Sequence, residues 1–335
     1  MTFTHFIGID VSKKKLDVCL FDGGEILLEQ ECSNSISDLR KALKTLIQEF
    51  KIKTEHLLIC AEYTGMYIYP LVEACKALNM FLWLETGAQI KLSSGVQRGK
   101  NDKVDAQRIA AYAHRFQDKA KIYQPADEVI DELKLLNSER EMLVVDRAKY
   151  QGQLNDQENY MSKSTFKNKE RRLQWLIKGL DKTIKNIENQ VQELIKKDAA
   201  INQQFELMLS IDGVGPQVAL QTLIVTKGFK EFNTPRQFCC HSGVAPFAYT
   251  SGSSQRSKWK VSHRANKRLK QLLHMAALSA IRMKGELRDY FLRKVAEGKN
   301  KMTVINAVRA KLIHRIFALI RDNRKYEKIY TNSLA

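Results

Sequence analysis

The stretch Arg98-Gly99-Lys100-Asn101-Asp102-Lys103-Val104-Asp105-Ala106-Gln107-Arg108-Ile109-Ala110 decides how the first part of the chain is read. Ala106, Ile109, Ala110 and Ala113 recur at helical spacing, which predicts a helix from about Asp102. Positions i and i+3 are neighbours on a helix, with Cβ atoms roughly 5–6 Å apart, so Asp102 and Asp105 share a face. Two carboxylates that close repel unless a cation sits between them or one keeps its proton. Arg98, Lys100, Lys103 and Arg108 surround them, and acids inside a basic segment point to a metal held against a polyanion. The same acids also suit the positive end of a helix dipole, so the pair alone leaves both readings open.

Upstream, Phe6 to Phe21 reads as two strands joined by a polar turn, and Ile26 to Cys32 as a third. Ser35 or Ser37 can cap a helix running to about Phe50, with Leu39, Leu43, Leu46 and Ile47 inward. His56 to Glu62 is a short apolar run ending in an acid, followed by a helix over about Tyr67–Leu78 and a strand Phe81–Leu84. This order predicts an α/β domain with a mixed sheet. Ligands of open α/β sheets gather at strand ends, and Asp10 and Glu62 both stand at such ends. With Asp102 and Asp105, four carboxylates from three elements are expected to converge. Hard cations such as Mg²⁺ take oxygen ligands, and paired ions clamp the oxygens of a phosphoryl transfer. Taken singly, Asp10 reads equally as a turn cap and Glu62 as a solvated loop acid.

The chain has 335 residues, enough for two domains and a connector. Its formal charge is +18, and Ser251–Lys325 holds 20 Lys and Arg against 4 acids, a local excess of +16. A basic C-terminal part suggests a phosphate-backbone partner. No segment approaches the roughly 20 apolar residues of a membrane span, so no membrane partner is expected. The six cysteines are scattered without a CxxC pair, which argues for reduced core thiols rather than a zinc site. With no signal peptide evident in the first residues, a cytoplasmic protein is expected.

From about Glu128 to Lys197, Leu173, Leu176, Leu180, Ile184, Ile187, Val191 and Leu194 recur at spacings of three and four, and Asn155–Lys169 is polar. Two long helices joined by a polar turn are predicted, as an antiparallel hairpin or coiled coil serving spacing or self-association. Ile211-Asp212-Gly213-Val214-Gly215-Pro216, flanked by apolar residues, resembles a helix-hairpin-helix turn. Its amides around Gly213 and Gly215 can hold a phosphate without reading sequence; a plain helix–helix turn is the alternative. A Ser- and Gly-rich loop, Phe238 to Ser254, then precedes Lys258, Lys260, Arg264, Lys267, Arg268 and Lys270. A serine hydroxyl among cations could attack a phosphodiester, or the loop could only grip phosphate.

Together these residues resemble a family. Gly8-Ile9-Asp10-Val11-Ser12, Ala61-Glu62-Tyr63-Thr64-Gly65 and Lys100-Asn101-Asp102-Lys103-Val104-Asp105-Ala106 look like the N-terminal domain of DEDD transposases of the insertion-sequence family numbered one-ten, relatives of Piv-type DNA invertases. Ile211–Pro216, Ser242-Gly243-Val244-Ala245-Pro246 and Thr250-Ser251-Gly252 look like that family's C-terminal transposase domain. The resemblance implies a RuvC-like (RNase H fold) α/β domain over 1–125, a coiled-coil helical hairpin over 126–200, and a mainly α transposase domain with a helix-hairpin-helix-like turn over 201–335. It implies Asp10, Glu62, Asp102 and Asp105 as a tetrad for Mg²⁺ (or Mn²⁺), and Ser251 as a nucleophile forming a covalent serine–DNA intermediate, with Ser253 and Ser254 as neighbours in register. It also implies donor and target DNA, a structured non-coding guide RNA from the element, and a homo-oligomer, dimer or tetramer.

Three other readings compete. An RNase H-like structure-specific nuclease would activate water and need no serine. A non-enzymatic binding protein would explain the charge but not the acids. A sugar-kinase-like ATPase would share the first strand but lacks the further Gly-rich phosphate loops.

Overall fold

The protein is seen in a computed structural model that describes residues 2–93, 95, 101–124, 127–247, 250–251, 255–256, 260–261 and 265–327. The chain divides into two compact units, Met1–Pro125 and Ala126–Ala335. No described helix is long and apolar enough to cross a membrane, and all six cysteines are free thiols.

The first unit is built on a five-stranded sheet in the order β3-β2-β1-β4-β5. Its strands are β1 (His5–Val11), β2 (Lys15–Phe21), β3 (Ile26–Ser33), β4 (Leu57–Glu62) and β5 (Phe81–Glu85). β2 runs antiparallel to both β1 and β3, whereas β4 and β5 run parallel to β1. That is the RuvC-like, RNase H type of mixed sheet. Side chains alternate across a strand. Ile7, Ile9 and Val11 therefore enter one core with Leu39, Leu43 and Leu46 of helix α1 (Ile36–Glu49) and Leu71 and Ala74 of α2 (Tyr69–Ala77). Phe6 faces the other way, packing with Trp83, Ile109 and Tyr112.

The second face of the sheet is covered by α4 (Asp102–Arg115), which follows the short α3 (Gly87–Ser93). Asn101 caps α4, its side chain accepting from the Lys103 amide at 3.2 Å. The buried positions Ala106, Ile109, Ala110 and Ala113 fall on one stripe, and the alanines let the helix come close. Gly8 lets β1 reciprocate. A Cβ at Gly8 would lie 2.2 Å from the Ala106 carbonyl oxygen and 2.3 Å from the Ala110 nitrogen. The helix backbone thus rests directly on the strand backbone.

The second unit is helical. Helix α5 (Glu128–Gln157) and helix α6 (Lys163–Lys197) form an antiparallel hairpin, with ion pairs Arg140–Glu188 at 2.8 Å and Arg147–Asp181 at 2.5 Å across it. The polar stretch expected to be a long turn is mostly helical. Only Glu158–Ser162 separates the two helices, and the Ser162 side chain starts α6 by accepting from the Thr165 amide at 3.3 Å. Polar residues with good helix propensity need no buried face to stay helical beside a partner helix. The buried stripe of α6 also differs from the predicted one: it is Ile177, Ile184, Ile187, Val191 and Ile195, while Leu176 is 37% exposed. The predicted leucines repeat every 3.5 residues and the helix turns every 3.6, so the two stripes agree at Ile184–Val191 and part at both ends.

The hairpin base shares one core with a bundle of α7 (Ala199–Leu209), α8 (Pro216–Thr226), α9 (Pro235–His241), α10 (Lys267–Arg282), α11 (Glu286–Ala296) and α12 (Lys301–Asp322). Leu133, Ile195, Leu273 and Leu312 are wholly buried in it. Between α9 and α10 lie two short antiparallel pairs. β6 (Pro246–Phe247) pairs with β9 (Lys260–Val261), and β7 (Thr250–Ser251) pairs with β8 (Gln255–Arg256).

Two glycine classes give opposite expectations. Gly8→Ala should destabilise the protein by roughly 1–3 kcal/mol or more, because the collision is with backbone, and Ala106→Gly should not rescue it. Gly152→Ala in α5, where a Cβ meets nothing within 4 Å, should stabilise by about 1 kcal/mol. Urea unfolding of both variants measures the pair; equal and small effects would mean that α4 does not rest on Gly8.

Candidate carboxylate centre

The sheet register builds a row of acids. Asp17 of β2 faces Asp10 of β1 directly, and Glu31 of β3 faces Asp17. Ile9 pairs with Ala61, so Asp10 and Glu62 are the next residues on adjacent parallel strands, and Glu62 pairs with Glu85 of β5. All five share the face that carries Gly8. The Gly8 contact brings α4 onto that face, with its N-terminal turn toward Asp10. Asp102 lies four residues before Ala106 on the same helical face, and Asp105 one residue before it.

The electrostatics record this convergence. Asp10 is pushed up to about 6, first by burial and then by the negative charges of Asp102, Asp105, Glu62 and Asp17. The structure therefore brings Asp10, Glu62, Asp102 and Asp105 into one electrostatic cluster. The Glu62 carboxylate lies over Gly87, where a Cβ would be 2.0 Å from its Oε1. Arg108 Nη1 holds Asp105 Oδ1 at 2.6 Å. Lys15 Nζ reaches Glu31 at 2.9 Å, Asp17 at 3.5 Å and Asp102 at 3.8 Å.

Three acids of this face, Asp17, Glu31 and Glu85, and Lys15 were not among the sequence candidates. Asp17 is 4% exposed, an unusually deep position for a carboxylate. Glu85 accepts from the Thr86 amide at 2.7 Å and from the Tyr112 hydroxyl at 3.3 Å; burial and Glu85 push Tyr112 up to about 12. Lys15 is the cation shared by Asp17, Glu31 and Asp102. Their signal was the period-2 alternation Lys15-Leu16-Asp17, but the opposition of Asp17 and Asp10 depends on the hairpin register.

The donor set is all carboxylate oxygen, the chemistry that suits Mg²⁺ or Mn²⁺. Among the described residues, no group of three or more His, Cys, Asp or Glu side chains is arranged to hold a metal ion. Asp105 and Asp102 are engaged by Arg108 and Lys15 instead. The residues fit a hard cation by kind and location; the ligand geometry is not assembled in this conformation.

The other candidates lie in the second unit. Gly213, with φ +91°, and Gly215 form the turn between α7 and α8. A Cβ on Gly213 would meet the Ala276 carbonyl oxygen of α10 at 2.7 Å, so this glycine has a packing reason. Gly215 caps α8 and has open space beside it. Ser251 lies in β7, and Lys260 in β9. Lys267 opens α10 and is exposed. Arg268 Nε is held by Glu141 Oε1 at 2.7 Å, which ties α10 to α5. Lys258, Arg264, Ser253 and Ser254 lie outside the described residues.

A carboxyl raised from the usual 3.8 to about 6 stabilises the fold below about pH 4 and loses that contribution as pH rises through about 6. In chelator, Asp10→Asn should therefore unfold at a higher temperature than wild type above pH 6, with the margin closing toward pH 4. Added Mg²⁺ should raise the wild-type midpoint and leave the variant's unchanged. Parallel melting curves at all pH values would remove Asp10 from the cluster.

Comparison with known proteins places both units among transposases. Residues 7–157 match a DEDD transposase model of the IS110 type, described as Transposase. Residues 205–292 match the model described as Transposase IS116/IS110/IS902 family. The Pilin gene-inverting protein of Moraxella lacunata is 24% identical over 96% of this chain and 98% of its own length. The Insertion element IS116 uncharacterized 44.8 kDa protein of Streptomyces clavuligerus is 25% identical over 44% of this chain and 36% of its own. Among solved structures, T. thermophilus RuvC in complex with a Holliday junction substrate is similar to 36% of this chain over 99% of its own, at 11% identity and a TM-score of 0.29. Two transposase models in the expected order, one on the acidic unit and one on the helical unit, identify the chain as a member of the IS110-type transposases.

Proposed function

We propose that this insertion-sequence transposase cuts and rejoins DNA strands with the tetrad Asp10, Glu62, Asp102 and Asp105 holding Mg²⁺ or Mn²⁺, and with Ser251 as the nucleophile. The observation that carries this reading is the convergence of the negative charges of Asp102, Asp105 and Glu62 on the half-buried Asp10, whose carboxyl they and its burial raise. Such a cluster is repulsive when bare, and that repulsion is relieved by divalent cations. When bound, the metal supplies positive charge to the phosphate oxygens and lowers the barrier to attack. Asp102 and Asp105, on one turn of α4, hold their position through the Gly8 contact. Arg108 pairs with Asp105, and Lys15 with Asp102, so the edges of the cluster are already neutralised in part.

Ser251 Oγ attacks the phosphorus, forming a serine–phosphate ester as one strand P–O bond breaks. The serine proton is lost, and the leaving oxygen gains one. The number of phosphoester bonds is unchanged, so rejoining needs no external energy source. The ordinary serine hydroxyl is a weak nucleophile and needs a base or a metal to take its proton.

The charge of +16 over Ser251–Lys325 supports polyanionic partners: donor and target DNA and, by resemblance to the family, a guide RNA encoded by the element. Several strand ends must be held at once, which favours a homo-oligomer, with α5 and α6 as the association element. The organisation is a catalytic unit over 1–125, a helical hairpin over 126–200 and a serine-bearing transposase domain over 201–335. A second reading, a nuclease that uses water, rests on the same acidic cluster.

The test is covalent trapping on labelled DNA from the ends of the element, with its flanking transcript and Mg²⁺. Wild type should give a detergent-stable protein–DNA adduct. Ser251→Ala and Asp102→Asn should each lower it by at least about 10³-fold. Free cut ends that persist with Ser251→Ala would establish the nuclease instead. An adduct unaffected by removing the transcript would eliminate RNA guidance.

A further inference from the structure

Arg309 stands in the middle of α12 and is only 6% exposed. A guanidinium is permanently charged, and a buried charge is normally paired. No carboxylate lies within ion-pair distance of Arg309 among the described residues. Its partners are neutral: Nη2 meets Nδ1 of His274 on α10 at 2.5 Å, and Nη1 donates to Asn306 Oδ1 at 3.4 Å. Its Nε is buried without any hydrogen-bond partner.

The hydrogen-bond inventory assigns the proton on His274. Arginine only donates, so His274 Nδ1 must accept, and the imidazole is neutral with its hydrogen on Nε2. Burial and the nearby Arg309 both hold His274 below the usual imidazole range, in agreement with that state. The cluster is therefore left, among the described residues, with one uncompensated positive charge and four unspent N–H donors: Arg309 Nε, one hydrogen on each of its Nη atoms, and His274 Nε2. Such a set is complementary to an anion with several acceptor oxygens.

Its place in the fold says which anion. Asn306 also donates from Nδ2 to the Val244 carbonyl at 2.8 Å. Val244 leads into β6, and Ser251 follows seven residues later. Seven residues span at most about 25 Å, so the arm that carries Ser251 is rooted at this cluster. The substrate of a transposase is DNA, and a phosphodiester offers two unesterified oxygens in the geometry that an arginine fork and an imidazole can share.

We infer that Arg309 and His274 form a binding site for one backbone phosphate of the DNA strand, seated at the root of the Ser251 arm. Asn306 is the positioning residue that couples the guanidinium to Val244. The site reads no base, so it fixes register along a strand rather than sequence.

The test uses the full-length chain carrying Ser251→Ala, so that no strand is cut and the result does not depend on the proposed covalent step. Binding to a labelled duplex of arbitrary sequence is measured by anisotropy from 50 to 300 mM salt, beside thermal unfolding without nucleic acid. Arg309→Met should lower the magnitude of the log–log salt slope by about 0.9, one phosphate contact, and should unfold no earlier than its parent, since an unpaired buried charge is removed. Arg309→Lys should keep the slope. His274→Ala, which serves also if Arg309→Met does not fold, should weaken binding roughly tenfold through the lost donor. An unchanged slope in Arg309→Met, or unchanged affinity in His274→Ala, would overturn the site. A slope that changes on single-stranded RNA but not on DNA would overturn the assignment to DNA.

Discussion

The approach of α4 to β1 at Gly8 governs the first unit. A side chain there would push the helix outward from the Ala106 carbonyl and the Ala110 nitrogen, and Asp102 and Asp105 would move with it. The acidic cluster is thus a consequence of a packing contact between two backbones. Alanine on the helix and glycine on the strand are the two residue types that permit it. Gly213 against Ala276 and Ala280 of α10 repeats the device in the second unit, where it draws the α7–α8 turn onto the bundle.

Once the acids are gathered, the unit must manage their repulsion. Burial and four neighbouring carboxylates raise Asp10. Lys15 is shared among Glu31, Asp17 and Asp102, and Arg108 holds Asp105. These cations neutralise the edges of the cluster and leave Asp10 at its centre the least compensated. The second unit carries the opposite imbalance. Its excess charge is positive, most of it solvated, and Arg309 is the exception that is buried without an acid.

The sequence alone determined much of this. The helix at Asp102, the apolar strands ending in Asp10 and Glu62, the long helical pair and the basic C-terminal part all follow from local periodicity and composition, which one chain displays without reference to its partners. The i, i+3 spacing of Asp102 and Asp105 required only helix geometry. Tertiary structure decided what depends on register and approach. Asp17 and Glu85 joined the acidic face because β2 and β5 pair in a particular register with β1 and β4, and a shift of one residue would turn either side chain to the opposite face. The buried stripe of α6 followed the true helical pitch rather than the heptad its leucines suggest. The Arg309 cluster joins residues 244, 274, 306 and 309, distant in sequence and unremarkable in type. The packing of α10 on α12 brings them together and leaves that charge with neutral partners.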